Sequence, residues 1–319
     1  MKRRTFLQAA GVASVLPRAV MAQDKYPSKL ITWICPYAAG GNADIRSRQL
    51  SAAMAKLMNV VIIVDNKPGA GGNIGTEAIV RAKPDGYTLG LGNFAPMAVN
   101  KALFKKINFD PLVDLTPIML IEKGPLILMV KNESPYKTVK DVVEHARSGQ
   151  GRWGAANPAS LERQTMERLK QKAGVNPAVA TFEGGGDMLI NVLNHTLDMG
   201  VGELQEMRGQ LDAGKIRLLG VVGDERITQF PDLQTVKEQG IDLSVRKFRG
   251  LAGPKGMPRD LIARWETAVR ALLDDPEYKK LYIADGLQPG FMPHDQYVAF
   301  MNTFGNETAA FLKESGVIR

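Results

Sequence analysis

The chain has 319 residues, of which 45% are hydrophobic and 23% charged, so its composition is that of a globular protein and its length suffices for two domains. The formal net charge is +8, but residues 1–22 hold four basic and no acidic residues, so the remainder carries only +4. No block of Lys and Arg with interleaved aromatic residues is present, which argues against a nucleic-acid-binding protein. The one cysteine, Cys35, cannot form an internal disulfide and is expected to be a small core residue.

The chain begins with a pattern typical of an export signal. The sequence MKRRTFLQ contains the paired arginines and the following apolar residues of a twin-arginine pattern. A short, weakly apolar stretch follows, and the residues VMA that end at Ala22 form a small-residue cleavage signal. Residues 1–22 are therefore predicted to be a twin-arginine export signal, with a mature chain that begins near Gln23. No other apolar run is long enough to cross a bilayer, so no stable membrane insertion is expected.

The first predicted strand and helix are joined by a glycine loop. Residues 30–35 (LITWIC) form a short apolar run with β-branched and aromatic members, which predicts a buried strand. After the loop, apolar residues recur at helical spacing from Ile45, with Asn42 at the predicted N-cap and Asp44 in the first turn. A helix start offers free N–H groups and a partial positive charge, and glycines allow a close approach, so this loop suits an anion. A plain strand-to-helix connection is the alternative.

Apolar strands alternate with helical segments along the rest of the chain, which predicts an α/β protein with largely parallel sheets. The further strands are predicted at residues 60–64, 87–91, 126–130, 152–155, 179–182, 197–201 and 216–222. A helix is predicted at residues 138–147, and the chain is expected to be mostly helical from Pro258 onward.

Two segments, residues 122–125 and 246–253, are interpreted as crossovers between domains because polar or glycine-containing residues adjoin strands there. This interpretation gives a discontinuous first α/β domain of residues 23–124 and 247–319. Residues 125–246 then form an inserted second α/β domain, with a ligand cleft between the two at the carboxyl ends of strands.

Two glycine motifs resemble nucleotide-binding sequences, but each lacks residues or spacing that nucleotide binding requires. GQLDAGK (Gly209–Lys215) matches a Walker loop, but it lacks the final Ser or Thr and precedes a predicted strand. GAGGNIG (Gly69–Gly75) lies between a strand and a helix but has the wrong spacing for a dinucleotide fingerprint, so a structural or pocket-lining loop is expected. The three histidines are far apart and no G-x-S-x-G elbow is present. We therefore expect no metal, no cofactor and no enzymatic activity.

Several segments, taken together, resemble one family. They are CPYAAGGNADIRSR, VDNKPGAGGNIGTEAIVRAKPDGYTLGLGN, FDPLVDLTPI, FEGGGDMLINVLN, DAGKIRLLGVVGDER, FPDLQTVKEQG and GLAGPKGMPRDLIARW. In that order and spacing the chain resembles the Bug-type extracytoplasmic solute receptors, the substrate-binding proteins of tripartite tricarboxylate transporters. The resemblance covers essentially the whole mature chain. It implies a two-domain periplasmic-binding-protein fold of the Venus-flytrap, type II kind, which closes over a small carboxylate.

The resemblance also implies where the ligand binds. The first loop and facing loops of the second domain hold a carboxylate, largely through charge-assisted hydrogen bonds from backbone N–H groups. Carried over onto this chain, the expected positions are Tyr37, Ala39, Gly40, Gly41, Asn42, Asp44, Asn93, Phe94, Ala95, Ala155, Ala156, Asn157, Ser160, Phe182 and Gly184. The second-domain loop, GAANPASLER, departs from the family in having few hydroxyls and no His.

Glu203 is also expected in the cleft, because it follows the predicted strand at residues 197–201. One acid in an apolar, aromatic pocket suits a longer or aromatic carboxylate with a donor at its far end. Local packing of Glu203 is the alternative.

The expected function is therefore that of a periplasmic receptor, a monomer that captures a small organic carboxylate and delivers it to transporter membrane subunits. Binding and domain closure constitute the mechanism, without chemistry. One alternative keeps the fold but presents the ligand to a sensor kinase. Another is an exported α/β oxidoreductase that uses the glycine loop, which the off-pattern spacing of Gly69–Gly75 disfavours.

Overall fold

The computed structural model describes residues 26–314, so the export signal predicted for residues 1–22 lies outside the described part of the chain. The strands of that part are β1 (Ile31–Cys35), β2 (Ile62–Asn66), β3 (Thr88–Asn93), β4 (Leu115–Lys131), β5 (Arg152–Ala155), β6 (Ala178–Thr181), β7 (Met199–Gly202), β8 (Ile216–Val222), β9 (Arg246–Pro254) and β10 (Gln288–Met292). Its α-helices are α1 (Asn42–Met58), α2 (Asn73–Val80), α3 (Asn100–Leu103), α4 (Val139–Arg147), α5 (Leu161–Ala173), α6 (Gly185–Leu193), α7 (Leu204–Asp212), α8 (Arg259–Asp274), α9 (Pro276–Ala284) and α10 (His294–Glu314). A 3₁₀ turn at Ala70–Gly72 precedes α2, and a π-helical turn at Ala95–Val99 precedes α3.

The strands join into one connected set of ten, in the order β2-β1-β3-β9-β4-β7-β5-β6, with β8 and β10 also paired to β4. The pairs β1–β2, β1–β3, β5–β6 and β5–β7 are parallel. Each pairing that involves β4 or β9 is antiparallel. The prediction of largely parallel sheets is therefore wrong for the middle of the sheet, where β9 returns directly alongside β4.

The pair formed by β9 and the first part of β4 is here named the central ribbon. Its register runs from Leu115 opposite Pro254 to Pro125 opposite Arg246, with two irregularities in the part of β4 before Glu122. Beyond Pro125, β4 continues as the partner of β7 and β8. The segments interpreted as crossovers therefore lie within continuous strands. The central ribbon joins the strands around β1 and β3 to those around β5 and β7.

Several predicted boundaries shift in the structure. The N-cap of α1 is Gly41, one residue before the predicted N-cap Asn42. Gly41 has an extended backbone (φ −78°, ψ 168°), and Asn42 is the first residue of the helix. Asp44 lies in the first turn, as predicted. Strand β4 has 17 residues and extends well before the predicted strand at residues 126–130. The short strand β10 was not predicted, since its sequence QPGFM contains Pro and Gly, which disfavour strands.

The apolar core consists of several buried clusters, one of which joins Phe94, Phe248 on β9 and Trp153 on β5. Trp33 on β1 and Trp265 on α8 belong to one buried cluster, and Trp153 on β5 belongs to another. All three indoles are at most 1% exposed. Cys35 is fully buried at the end of β1, which confirms it as a core residue, and its burial raises the pKa of the thiol.

The glycine-rich segment Gly69–Gly75 packs behind the first loop. A Cβ at Gly75 would lie 2.6 Å from the Cα of Pro36 and 2.8 Å from the carbonyl oxygen of Lys67. Gly72 has φ 94°, in the left-handed region, and a Cβ there would lie 3.1 Å from the Tyr37 hydroxyl. The segment thus brings α2 close to the chain that follows β1, which is a structural role.

We expect Gly75→Ala to lower the free energy of unfolding by about 1–3 kcal/mol, because its methyl group overlaps backbone atoms that cannot move independently. The matched control is Gly209→Ala in α7, where a Cβ meets nothing within 4 Å. That variant should gain up to about 1 kcal/mol from the higher helix propensity of Ala. Urea denaturation measures both, and an unchanged stability for Gly75→Ala would contradict the packing described here.

Candidate ligand-binding site

The carboxyl ends of five strands open onto one cavity of about 460 Å³. The segments that line it follow β1, β3, β5, β6 and β7, and β9 contributes Lys247. Ligands in α/β folds bind at such strand ends, and the volume is in the range of small-molecule sites, about 300–1,000 Å³. The cavity is therefore the candidate ligand-binding site.

Two helix N-termini reach this cavity without a side-chain cap. Gly41 is the N-cap of α1 and Gly184 is the N-cap of α6, and neither helix has a side-chain acceptor for its first N–H groups. Gly41 and Asn42 line the cavity from α1, and Gly184, Gly185 and Gly186 line it from α6. The first N–H groups of a helix lack intrahelical partners and carry partial positive charge. The cavity thus offers two anion-binding helix ends from different parts of the sheet.

The remaining walls are more apolar or are already hydrogen-bonded. Asn93 at the end of β3 is buried, and its side-chain oxygen accepts a hydrogen bond from the N–H of Phe94 at 3.0 Å. Phe94 packs edge-on against Phe248, with ring centroids 5.9 Å apart. Ser160 caps α5 by accepting a hydrogen bond from the N–H of Arg163 at 3.1 Å. These groups shape the cavity, and the two uncapped helices offer it backbone N–H donors.

Most of the positions predicted for ligand binding lie together in this cavity. Those that line it are Tyr37, Ala39, Gly41, Asn42, Asn93, Phe94, Ala95, Ala156, Asn157, Ser160 and Gly184. Those that are absent from the lining are Gly40, Asp44, Ala155, Phe182 and Glu203. Ala155 is fully buried in the core, and Phe182 packs against a separate apolar cluster.

Asp44 holds the first loop in place from behind. Its carboxylate accepts hydrogen bonds from the N–H of Gly40 at 2.8 Å, from Nε of Arg48 at 3.1 Å and from Nδ2 of Asn66 at 2.9 Å. Burial raises the pKa of Asp44, but these hydrogen bonds outweigh it and hold the pKa below its usual range. Asp44 therefore positions the loop, and Gly40 supplies one of its anchors.

Glu203 is only 3% exposed and belongs to a row of buried charges of alternating sign. This row, here named the charge chain, consists of Arg46, Glu122, Arg249, Glu203, Lys247 and Glu162. Glu203 itself is not part of the cavity lining. Both of its cationic partners, Lys247 and Arg249, come from β9, and Lys247 also lines the cavity.

The contacts along the charge chain are direct. Nε of Arg46 lies 3.1 Å from Glu122, and Nη1 of Arg249 lies 3.2 Å from the same carboxylate. Arg249 also pairs with Glu203, while Nζ of Lys247 lies 3.3 Å from Glu203 and 2.8 Å from Glu162. Burial alone would raise the pKa of Glu203, but Arg249 and Lys247 lower it to about 2.

Several cavity residues were missed by the sequence reasoning: Ala43, Leu161, Glu162, Gly186, Asp187, Glu206 and Lys247. For Lys247 a signal exists, since Lys247 and Arg249 alternate with Phe248 along a strand, which indicates that the two cations share one face. Glu162 and Glu206 lie in the first turns of α5 and α7, where acids are common for capping alone.

Glu206 differs from the other acids near the charge chain. Among the described side chains, no Lys or Arg lies within ion-pair distance of its carboxylate, and Oε2 accepts only a long hydrogen bond, 3.4 Å, from the N–H of Glu203. Burial, with the nearby Glu203 and Glu162, raises the pKa of Glu206 to about 7, although Lys247 opposes the shift. Glu206 is thus a carboxylate at the cavity without a cation of its own.

We expect Glu203→Ala to lower the free energy of unfolding by about 3–5 kcal/mol, because it removes the carboxylate between Arg249 and Lys247 and leaves these two cations with only Glu122 and Glu162. The control is Asp212→Ala, which removes an exposed partner 2.9 Å from Arg208 on α7 and should cost less than about 1 kcal/mol. Urea denaturation of both variants tests the charge chain. Equal effects would show that burial of these charges does not govern stability.

The pKa of Glu206 predicts a pH dependence of stability in the absence of ligand. In the folded chain the Glu206 carboxyl keeps its proton up to about pH 7, whereas in the unfolded chain it loses its proton near pH 4.5. Protonation of Glu206 therefore stabilises the folded state at low pH, and this stabilisation is lost as the pH rises from about 4.5 to about 7. Glu206→Gln cannot titrate and should therefore gain stability relative to the wild type at about pH 8 but not at about pH 5. Thermal unfolding of both proteins at the two pH values measures the stability difference. An equal difference between Glu206→Gln and the wild type at both pH values would contradict a raised pKa for Glu206.

Within residues 26–314, none of the helices is long and apolar enough to cross a bilayer. The same part of the chain contains no group of three or more His, Cys, Asp or Glu side chains arranged to hold a metal ion. The glycine segment Gly69–Gly75 does not line the cavity, and Lys215 lies in a turn between α7 and β8, not before a helix. Neither motif therefore has the setting of a nucleotide-binding loop.

Comparison with known proteins identifies relatives along the full chain. The family model described as "Tripartite tricarboxylate transporter family receptor" matches residues 46–317. The UPF0065 protein in the gbd 5′ region of Cupriavidus necator is 30% identical, over 100% of this chain and 99% of the relative. Protein BugT of Bordetella pertussis is 25% identical, over 98% of this chain and 95% of the relative.

Solved structures show the same fold. A structure described as a periplasmic transporter is 27% identical, with a TM-score of 0.83 over 90% of this chain and 97% of its own. The periplasmic binding protein BugD is 25% identical, with a TM-score of 0.82 over 92% and 99% of the two chains. MatC from Rhodopseudomonas palustris, solved with bound malate, is 25% identical, with a TM-score of 0.78 over 91% and 100%.

These matches confirm the predicted α/β periplasmic-binding-protein fold and the predicted family. The family consists of solute-binding receptors of a transport system, not of enzymes. The chain therefore belongs to the tripartite tricarboxylate transporter receptor family, together with the Bug proteins.

Proposed function

We propose that this receptor captures a small organic carboxylate in the cavity and delivers it to the membrane subunits of a tripartite tricarboxylate-type transporter. The observation that carries the proposal is the pair of uncapped helix N-termini, α1 and α6, that reach the same cavity. Each offers backbone N–H groups to an anion. The malate complex of MatC, a relative with the same fold, supports a carboxylate as the anion.

Capture proceeds by closure of two domains over the ligand. The first comprises residues 23–124 and 247–319 and supplies α1 and the loop after β3. The second comprises residues 125–246 and supplies α5, α6 and α7. A carboxylate that contacts α1 and α6 together binds the closed arrangement better than the open one, so it shifts an existing equilibrium toward closure.

The proposed setting is the periplasm. Residues 1–22 direct export by the twin-arginine route, and the mature receptor acts as a monomer that meets its transporter subunits at the membrane surface. The description of two structural relatives as periplasmic supports this location.

Gly41→Val tests the role of the α1 N-terminus. A Cβ at Gly41 meets only the Ala38 carbonyl oxygen, at 3.5 Å, so the variant should fold while its side chain occupies the space in front of the helix. Loss of two charge-assisted hydrogen bonds, at about 1.5–3 kcal/mol each, should weaken carboxylate binding at least about a hundredfold. Calorimetric titration with malate, succinate and other small carboxylates measures the change.

The control is Gly305→Val in α10, where a Cβ meets nothing within 4 Å and which lies outside the cavity lining. That variant should bind as the wild type does. Lys215→Ala, which removes the lysine of the Walker-like motif, should also leave affinity unchanged. Wild-type affinity in Gly41→Val would rule out the α1 N-terminus as the carboxylate site.

A further inference from the structure

Among the described side chains that line the cavity, acidic groups outnumber basic ones. Its charged lining consists of Glu162, Glu183, Asp187, Glu206 and Lys247. Lys247 is already engaged, since its Nζ lies 2.8 Å from Glu162 and 3.3 Å from Glu203. A ligand that carried only negative charge would leave this excess uncompensated.

Two glycines, Gly185 and Gly202, leave the space that the Glu206 carboxylate occupies beside the cavity. A Cβ at Gly185 would lie 2.7 Å from Oε2 of Glu206, and one at Gly202 would lie 3.0 Å from the same atom. Neither glycine has a positive φ, so backbone conformation does not require glycine at these positions. The absence of a side chain is the property that matters there. The two missing side chains let the Glu206 carboxylate lie against the start of α6, beside the glycines that line the cavity.

A second group at the cavity, the Asn42 side-chain oxygen, lacks a hydrogen-bond donor among the described residues. Asn42 lines the cavity and is 8% exposed, and its Nδ2 donates a hydrogen bond to the Glu203 carboxylate. Because a carboxylate only accepts, this contact fixes which way the amide is turned. The side-chain oxygen of Asn42 then has no donor among the described residues, and a buried acceptor left unpaired costs about 1–3 kcal/mol.

We propose that the ligand carries a protonated amine in addition to its carboxylate, with Glu206 as the charge partner of the ammonium group and the Asn42 oxygen as a further acceptor. This inference rests on the carboxylate-binding function proposed above and narrows it to aminocarboxylates. The ammonium supplies a positive charge beside Glu206, which has no ion-pair partner among the described residues, and an N–H donor to the unpaired Asn42 oxygen.

The competing arrangement places a second ligand carboxylate against a protonated Glu206. The two arrangements respond oppositely to pH, because an ammonium needs Glu206 ionised and a carboxylate needs it protonated. The charged groups that face Glu206 are Lys247 and Arg249 from β9, Glu162 from α5, Glu203 at the start of α7, and Glu183 and Asp187 at the start of α6. Of these, Lys247 and Arg249 retain their protons well above neutral pH, since the adjacent acids raise the pKa of each.

The test is calorimetric titration of the mature receptor with pairs of ligands that differ only in the amine: aspartate and succinate, glutamate and glutarate, 5-aminovalerate and valerate. In at least one pair the amine-bearing member should bind about tenfold or more tightly. Its affinity should rise between about pH 6 and about pH 8, where the amine stays protonated. Glu206→Gln should weaken that member about tenfold or more and leave its amine-free counterpart unchanged.

Asp187→Asn is the matched control, because Asp187 lines the cavity at its exposed mouth and lies outside the contacts of Asn42 and Glu206. It should lose less affinity than Glu206→Gln. Tighter binding of amine-free members, or a Glu206→Gln variant that keeps amine preference, overturns the inference and leaves the carboxylate function standing. If the wild-type protein unfolds cooperatively but binds neither amine-bearing nor amine-free carboxylates, the carboxylate function is overturned and the inference with it.

Discussion

The structure depends most on the charge chain, a row of six charges across the central ribbon of which five are buried and Lys247 is largely buried. Desolvation of each charge is expensive, and only an opposite charge in direct contact offsets it. The alternation from Arg46 to Glu162 therefore tolerates few rearrangements. It ties α1 to β4, β4 to β9, and β9 to the starts of α5 and α7. The relative placement of the helices that surround the cavity follows from these pairings.

The same row determines what the cavity presents to a ligand. Glu203 turns the Asn42 amide and, with Glu162, engages Lys247, so the positive charge closest to the cavity is already used. The free positive potential then comes from backbone at α1 and α6, not from a side chain. Recognition of an anion through helix ends avoids a second buried cation, which would disturb the alternation of charges.

Local sequence was enough to predict the strand, glycine loop and helix from Ile31 onward, since periodicity and glycine positions report on neighbouring residues. The positions indicated by the family resemblance lie mostly in one cavity, because loops at strand ends keep their order along the chain. Glu203, expected in the cleft from its place after a predicted strand, is absent from the lining, and its partners Lys247 and Arg249 lie on a strand far along the sequence. Such long-range pairing leaves no local signal in the residues around Glu203. Glu206 was missed for the same reason: only the glycines opposite it, at positions 185 and 202, reveal its role.

The continuity of β4 and β9 has a mechanical consequence. Two hydrogen-bonded strands pass without a break between two groups of helices. Backbone bending in such a pair is distributed over many residues instead of being concentrated at a single hinge. The register irregularities before Glu122 are where such a ribbon twists most readily. Flexing of this kind leaves the inter-strand hydrogen bonds closed throughout. The amide protons of the ribbon would therefore resist exchange with solvent during the domain closure proposed above.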